Sequence, residues 1–154
     1  MVMALSAGLA GCEQPDWLTK RDPLPELPAW AGPLIGRPLT ETFKLAPAPA
    51  CLGNTEQVEA RYGGARPGVR ISGWGWDTAG KAPPARVLVV GPDGRIAGGG
   101  ETGRERGDVM QARPEVTVAG TGWQALAKLT EGEAKAFGVL ADGVLVCQLG
   151  MVGL

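Results

Sequence analysis

Val87-Leu88-Val89-Val90-Gly91-Pro92-Asp93-Gly94-Arg95-Ile96-Ala97 is the stretch whose reading decides the fold class. Four consecutive branched apolar residues suit a strand buried on both faces. Gly-Pro-Asp-Gly is a turn sequence, because proline presets φ and glycine accepts positive φ. Arg95-Ile96-Ala97 then reads as the returning strand of a hairpin. The same grammar recurs at the end of the chain, where Asp142-Gly143 separates Leu140 from the run Val144 to Leu149. An Asp-Gly pair between apolar runs is a strong hairpin signal.

Working outward, Val69-Arg70-Ile71-Ser72 alternates and continues into Gly73-Trp74-Gly75-Trp76-Asp77. Trp123 to Leu129 and Ala134 to Leu140 add two more runs, separated by Thr130-Glu131-Gly132-Glu133. About six or seven strands at this spacing predict an antiparallel β-sandwich or small barrel over residues 51–154. One short helix is expected, capped by Asp108, running through Ala112 and stopped by Pro114. Gly98-Gly99-Gly100 reads as too flexible for a strand interior, and Gly98 to Gly103 as a mobile connection.

Composition narrows the functions. Gly at 25 and Pro at 13 are spread between apolar runs, as a turn-rich β protein requires. A net charge of −1 with scattered cations gives no electrostatic footprint for nucleic acid. Histidine is absent, which removes Ser-His-Asp and Cys-His catalysis and His-ligated zinc. No dinucleotide or phosphate-loop fingerprint is complete and no Asp-x-Asp-x-Asp loop exists, so no cofactor or metal is expected. Glu101, Glu105 and Asp108 are the carboxylates a glycosidase reading would need, and nothing in the pattern favours them. Arg106-Gly107-Asp108 spells an adhesion tripeptide, but three-residue matches arise easily. Pairing of Arg104 and Arg106 with Asp108 or Asp77 is the simpler expectation.

The first fifty residues are of another kind. Residues 1–12 begin with an uncharged, small and apolar stretch, too short to span a bilayer by itself. Beside a soluble N-terminus of no special role, two readings stay open: the outer end of a transmembrane helix, or a lipoprotein signal in which Leu9-Ala10-Gly11 precedes a lipidated Cys12. A signal peptide should begin with positive charge, and none is present. Trp17 and Trp30 flank Lys20 and Arg21, as aromatic and basic residues do at a membrane interface. Residues 13–50 carry eight prolines and read as a linker or stalk. Within it, Ala29 to Ile35 is apolar enough to lie against the membrane or the domain. Both readings of the N-terminus place the rest of the chain outside the cytoplasm, attached to a membrane.

Cys51 and Cys147 sit at opposite ends of the β region, where an oxidising compartment would let them bridge. Closing so long a loop contributes roughly 4–5 kcal/mol in the chain-entropy model. Trp74 and Trp76 share one face of their strand, with Val69, Ile71, Gly73 and Gly75 on the other. Either the indoles fill a core, or they form an aromatic shelf for glycan or an envelope protein, which Trp123 would extend.

The ordered series Ile71 to Asp77, Arg86 to Val90 with Asp93-Gly94, Thr102 to Val109, and Gly122-Trp123 carries a family resemblance. It resembles the C-terminal extracytoplasmic β domain of uncharacterised bacterial polytopic membrane proteins, some glycosyltransferase-like. It is also similar to Ig-like modules of secreted bacterial proteins, with Gly75 standing where alanine is usual. The match spans about residues 51–150. It implies a non-catalytic accessory β-sandwich and brings no catalytic residues with it. Metabolic labelling with a palmitate analogue separates the two N-terminal readings. Label that disappears in Cys12→Ser supports the lipoprotein and overturns the helix end.

Overall fold

The computed structural model describes residues 21–154. These residues are mainly β. Eight strands form one mixed sheet in the order β1-β8-β7-β4-β5-β6-β3-β2. The strands are β1 (Lys44–Leu45), β2 (Cys51–Tyr62), β3 (Gly68–Asp77), β4 (Arg86–Val90), β5 (Ile96–Arg104), β6 (Gly122–Ala127), β7 (Glu133–Val139) and β8 (Leu145–Gly153). Two short α-helices accompany them among the described residues, α1 (Leu39–Thr42) and α2 (Gly107–Ala112). From β2 to β8 each ladder is antiparallel, and the short β1 adds to β8 in parallel.

The sheet rolls until β2 meets β8. Cys51 and Cys147 are joined by a disulfide, with Cα atoms 5.8 Å apart. Nearby, Thr55 Oγ1 donates to Leu149 O at 2.9 Å. Seven strands that alternate in direction must bring first and last together in parallel. The contacts obey this, Cys51 meeting Cys147 and Thr55 meeting Leu149 further along both strands. With no ladder between β2 and β8 among the described residues, the disulfide and side-chain packing close the seam. The arrangement is a small barrel formed by a single sheet.

Alternation along the strands separates inside from outside. Val69, Ile71, Val87, Val89, Trp123 and Leu149 fill the interior. Small residues make room for them. A Cβ on Gly73 would lie 2.7 Å from Trp123 Cζ2 and 2.0 Å from Asn54 O, and one on Gly75 would lie 2.9 Å from Leu149 Cδ1. Gly98 and Gly100 belong to the interior of β5, contrary to the expectation of a mobile connection. Their hydrogens face β6 so closely that a Cβ would sit 2.0 Å from Leu126 O or 1.8 Å from Gln124 O. Close approach between backbones, rather than flexibility, is what these glycines serve.

The outside of the barrel has two covers. Residues 21–50 form the first. The Pro-rich stretch expected to be a linker lies, over these residues, along the sheet as a strap. Leu24 N donates to Arg66 O at 2.8 Å, Ile96 N to Arg37 O at 2.9 Å, and Lys44 N to Val144 O at 2.9 Å. Proline suits such a strap, since a segment crossing a sheet face makes few ladder bonds and loses little by lacking donors. The Trp30 ring and Ala31 rest on Gly99, where a Cβ would be 2.9 Å from Trp30 Cη2. With α1, the strap covers Leu88, Val90, Ile96, Phe137 and Val146. Ala29 to Ile35 therefore lies against the domain. Residues 13–20, with Trp17 and Lys20, and the whole of 1–12 with Cys12, fall outside the described residues.

Burying a side chain of this size contributes about 1.5–3 kcal/mol, so uncovering five of them would remove much of a small domain's stability. A chain beginning at Cys51 should therefore lose at least about 3 kcal/mol relative to one beginning at Arg21, measured by urea unfolding. Equal stability would mean that the strap is an appendage.

Candidate functional site

The second cover is α2 with the loop that follows. It buries Trp74, Trp76, Val109 and Val116 in a small cluster on the outer face of β3, with Leu52 at its edge. Trp74 is 8% exposed, Trp76 1% and Trp123 0%. The face shared by Trp74 and Trp76 is thus a core. Trp123 does not extend it, because its register partner is Gly73 and its indole fills the barrel interior on the opposite side of the sheet. The three indoles together offer no exposed shelf. Apolar residues from the loop after the helix supply the cover, and nothing in the alternation of β3 itself announces them.

Between strap and helix a strip of the outer face stays open across β2, β3, β6 and β5. Its composition is polar, and backbone irregularities direct its side chains. The β2–β3 register shifts twice, once between Thr55 and Gln57 and once between Val58 and Ala60. The extra residues are Glu56 and Glu59. A third shift, between Thr102 and Arg104 on β5, inserts Gly103 at φ +146° and puts Arg104 opposite Gly122 on the outer face. Bulges bend a strand and re-aim side chains. Here all three bring charged groups to one place.

Glu59 is the hub. It accepts from Arg104 Nη1 at 2.7 Å and from Gln124 Nε2 at 2.6 Å. Arg70 Nε lies 3.3 Å away, off the axis of a good hydrogen bond, while Arg70 Nη1 donates to Tyr62 Oη at 3.1 Å. Partial burial pushes the Glu59 carboxyl pKa up. Hydrogen bonds from Arg104, Gln124 and Ser72, with the charge of Arg104, outweigh this and hold it at about 2. Arg106 is the second hub. It forks onto Asp108 through Nε at 2.9 Å and Nη2 at 2.8 Å, and its Nη1 donates to Glu56. Hydrogen bonds from Arg106 hold the exposed Asp108 carboxyl at about 2, and Asp108 and Glu56 in turn raise the guanidinium pKa.

Asp108 was expected to cap the helix. Instead Arg106 stands at the cap position without a side-chain cap bond, and Asp108 occupies the first turn. Its favourable place near the helix N-terminus and its fork with Arg106 use the carboxylate differently. The expected pairing of Arg106 with Asp108 is present, whereas Arg104 takes Glu59. Asp77 instead receives Gly80 N at 3.2 Å. Glu101 accepts from Trp30 Nε1 at 3.2 Å, and Arg86 stacks on the same ring with its Cζ 4.9 Å from the centroid. Trp30, Glu56, Glu59 and Gln124 were not picked out from the sequence as site residues. A strand as polar as β2 carries little apolar alternation to place its glutamates, and bulges have no short sequence signature.

Chemically, the strip is a set of ion pairs and an amide bonded largely to one another, with Arg70 Nε left without a hydrogen-bond partner among the described residues. Asp108, as an ionised carboxylate at neutral pH, has no proton to give as a general acid. Among the described residues no group of three His, Cys, Asp or Glu side chains is arranged to hold a metal ion. Trp123 Nε1 and the hydroxyls of Thr102 and Thr121 are buried without partners among the described residues. Thr102 and Trp123 are register partners, so two of these groups stand side by side beneath the strip.

Because the folded pKa of Glu59 lies below its unfolded value of about 4.5, its charge contributes stability above that value. The contribution is lost as pH falls toward about 2. Wild-type stability should decline through this window. Glu59→Gln should be less stable at neutral pH and lose less on acidification, so that the two converge. Asp108 titrates in both chains and cancels in the difference. Urea unfolding at a series of pH values checks this, and a gap that stays constant down to about pH 2 would remove Glu59 from the hub.

No family model, curated protein or solved structure matches the chain, so the strip's chemistry rests on its own geometry.

Proposed function

We propose that the chain is a non-catalytic accessory or interaction module on the outer side of a bacterial membrane. The observation that carries this reading is the Cys51–Cys147 disulfide at the barrel seam. Structural disulfides persist in oxidising compartments and are reduced in the cytoplasm. A bond spanning 96 residues contributes roughly 4–5 kcal/mol in the chain-entropy model. That is a large share of a small domain's stability, so this fold is suited to an oxidising environment. The apolar N-terminal residues ahead of Cys12 would supply the attachment, as a helix end or a lipid-modified cysteine. The resemblance to accessory domains of bacterial membrane proteins agrees with this placement.

The interaction role is supported by the open strip. Isolated surface ion pairs contribute about 0–1 kcal/mol each. The three bulges assemble a partly buried network whose Glu59 also contributes stability. On this reading they also fix the orientation of guanidinium, carboxylate and amide groups toward a partner outside the domain.

Produced in a bacterial host with residues 1–20 in place, the chain should fractionate with the envelope. After acid quenching, a maleimide-polyethylene glycol reagent should reach Cys51 and Cys147 only once a reductant is added. A chain recovered from the cytoplasm with both thiols open to the reagent would overturn the placement.

A further inference from the structure

Two hollows adjoin on the open strip. One, of about 600 Å³, lies between the strap edge at Glu26 to Pro28 and the outer face of β5 and β6 at Glu101, Gln124 and Leu126. The other, of about 320 Å³, lies beside the helix cover, between Glu59, Ser72, Gly122 and Arg106. Both are lined by Arg104, at whose side chain the two hollows of the groove adjoin. Each has the size of a small-molecule site. Along β6 the groove runs from Leu126 to Gly122, about 13 Å at roughly 3.3 Å per residue, longer than a compact ligand needs.

On the outer face the floor is formed by Ser72, Gln124 and Leu126, with Gly122 lying beside Arg106. The walls differ along the length. Leu27, Pro28 and Leu126 give the strap end an apolar side, whereas Glu59, Arg104, Gln124 and Arg106 give the helix end planar polar groups held in fixed orientations.

Charge decides the class of ligand. Carboxylates and guanidinium groups alternate along the groove, and Glu59 and Glu56 already hold Arg104 and Arg106. An anion would have to displace a carboxylate, and a cation would have to displace an arginine. A neutral ligand rich in hydroxyls meets neither cost. It can donate to carboxylate oxygens and accept from guanidinium and amide N–H groups at their free positions. Vicinal hydroxyl pairs match such planar, two-pronged groups, and the C–H face of a sugar ring suits Leu126 and Pro28.

We propose that this groove binds a neutral sugar chain, with Arg104 and Gln124 supplying hydrogen bonds midway and Leu126 packing against a ring. This deepens the interaction-module reading and rests on it, although its test is made in solution and is independent of where the chain resides.

The purified, oxidised chain would be titrated with cellopentaose, maltopentaose and chitopentaose to millimolar concentration while its backbone amide resonances are followed by NMR. At least one sugar should give saturable shifts confined to Ser72, Gly99 to Arg104 and Gly122 to Leu126. Gln124→Ala should weaken that binding about tenfold or more, in a chain whose amide spectrum shows it still folded. Arg104→Ala, at an exposed side chain, gives a second variant should the first be destabilised. Absence of saturable shifts with all three sugars would overturn the proposal. So would shifts that map to the apolar hollow between Leu24, Ile35 and Arg66, or binding unmoved by both substitutions. If no sugar binds while the chain is still oxidised in the envelope, the sugar falls and the module reading stands.

Discussion

Closure of β2 onto β8 is the constraint on which the rest of the molecule depends. A ring of seven alternating strands ends in a parallel seam, and here no backbone ladder joins the two strands. Covalent and side-chain contacts do that work instead: Cys51 to Cys147, and Thr55 to Leu149. Because the seam fixes the circumference, it also fixes how much side chain the interior admits. One tryptophan, a few branched residues and a lining of glycine and alanine fill it. Gly73 beneath Trp123 and Gly75 beneath Leu149 follow from that narrowness, since even one added methyl group would meet the two large side chains.

A barrel this narrow cannot hold all of its apolar residues inside. Leu88, Val90, Ile96 and Phe137 point outward on one side, and Trp74 and Trp76 on the other. Strap and helix are the two answers to that surplus. Both are short and irregular because covering a sheet face needs side chains at the right height, not a continuous ladder. The strip left between them can be polar because nothing there has to be hidden. Thus the position of the groove follows from the interior's lack of room.

The fold was legible wherever the signal was local. The hairpins at Gly91 to Gly94 and at Asp142-Gly143 stand where their turn sequences put them. In the second, Asp142 accepts from Val144 N at 2.9 Å and Leu145 N at 3.0 Å, the side-chain turn that aspartate favours. The face assignment of β3 was legible too, Trp74 and Trp76 on one side and Val69 and Ile71 on the other. What could not be read was anything set by distant partners. β2 carries glutamates on bulges whose meaning lies in arginines 45 and 50 residues away. Gly98 to Gly100 looked mobile because the backbone that crowds them belongs to another strand. The strap looked like a stalk because proline content reports the lack of ladder bonds, which a stalk and a surface cover share.

The same distinction bears on the candidate site. A tryptophan pair on one strand face is a visible signal, yet its visibility comes from size, and size is what a core or its covers recruit. A bulge is the reverse: it leaves little trace in sequence, and it costs a regular hydrogen-bonding position in the ladder. Three bulges bring Glu56, Glu59 and Arg104 together in a network that is partly buried at Glu59 and Arg106. Besides stability, what the bulges set is orientation. With Arg104 held by Glu59, and Glu59 by Gln124, each polar group on the strip keeps one direction, and an incoming ligand does not have to order it. On the proposed reading, that preorganisation makes the open strip, rather than the buried indoles, the recognition surface.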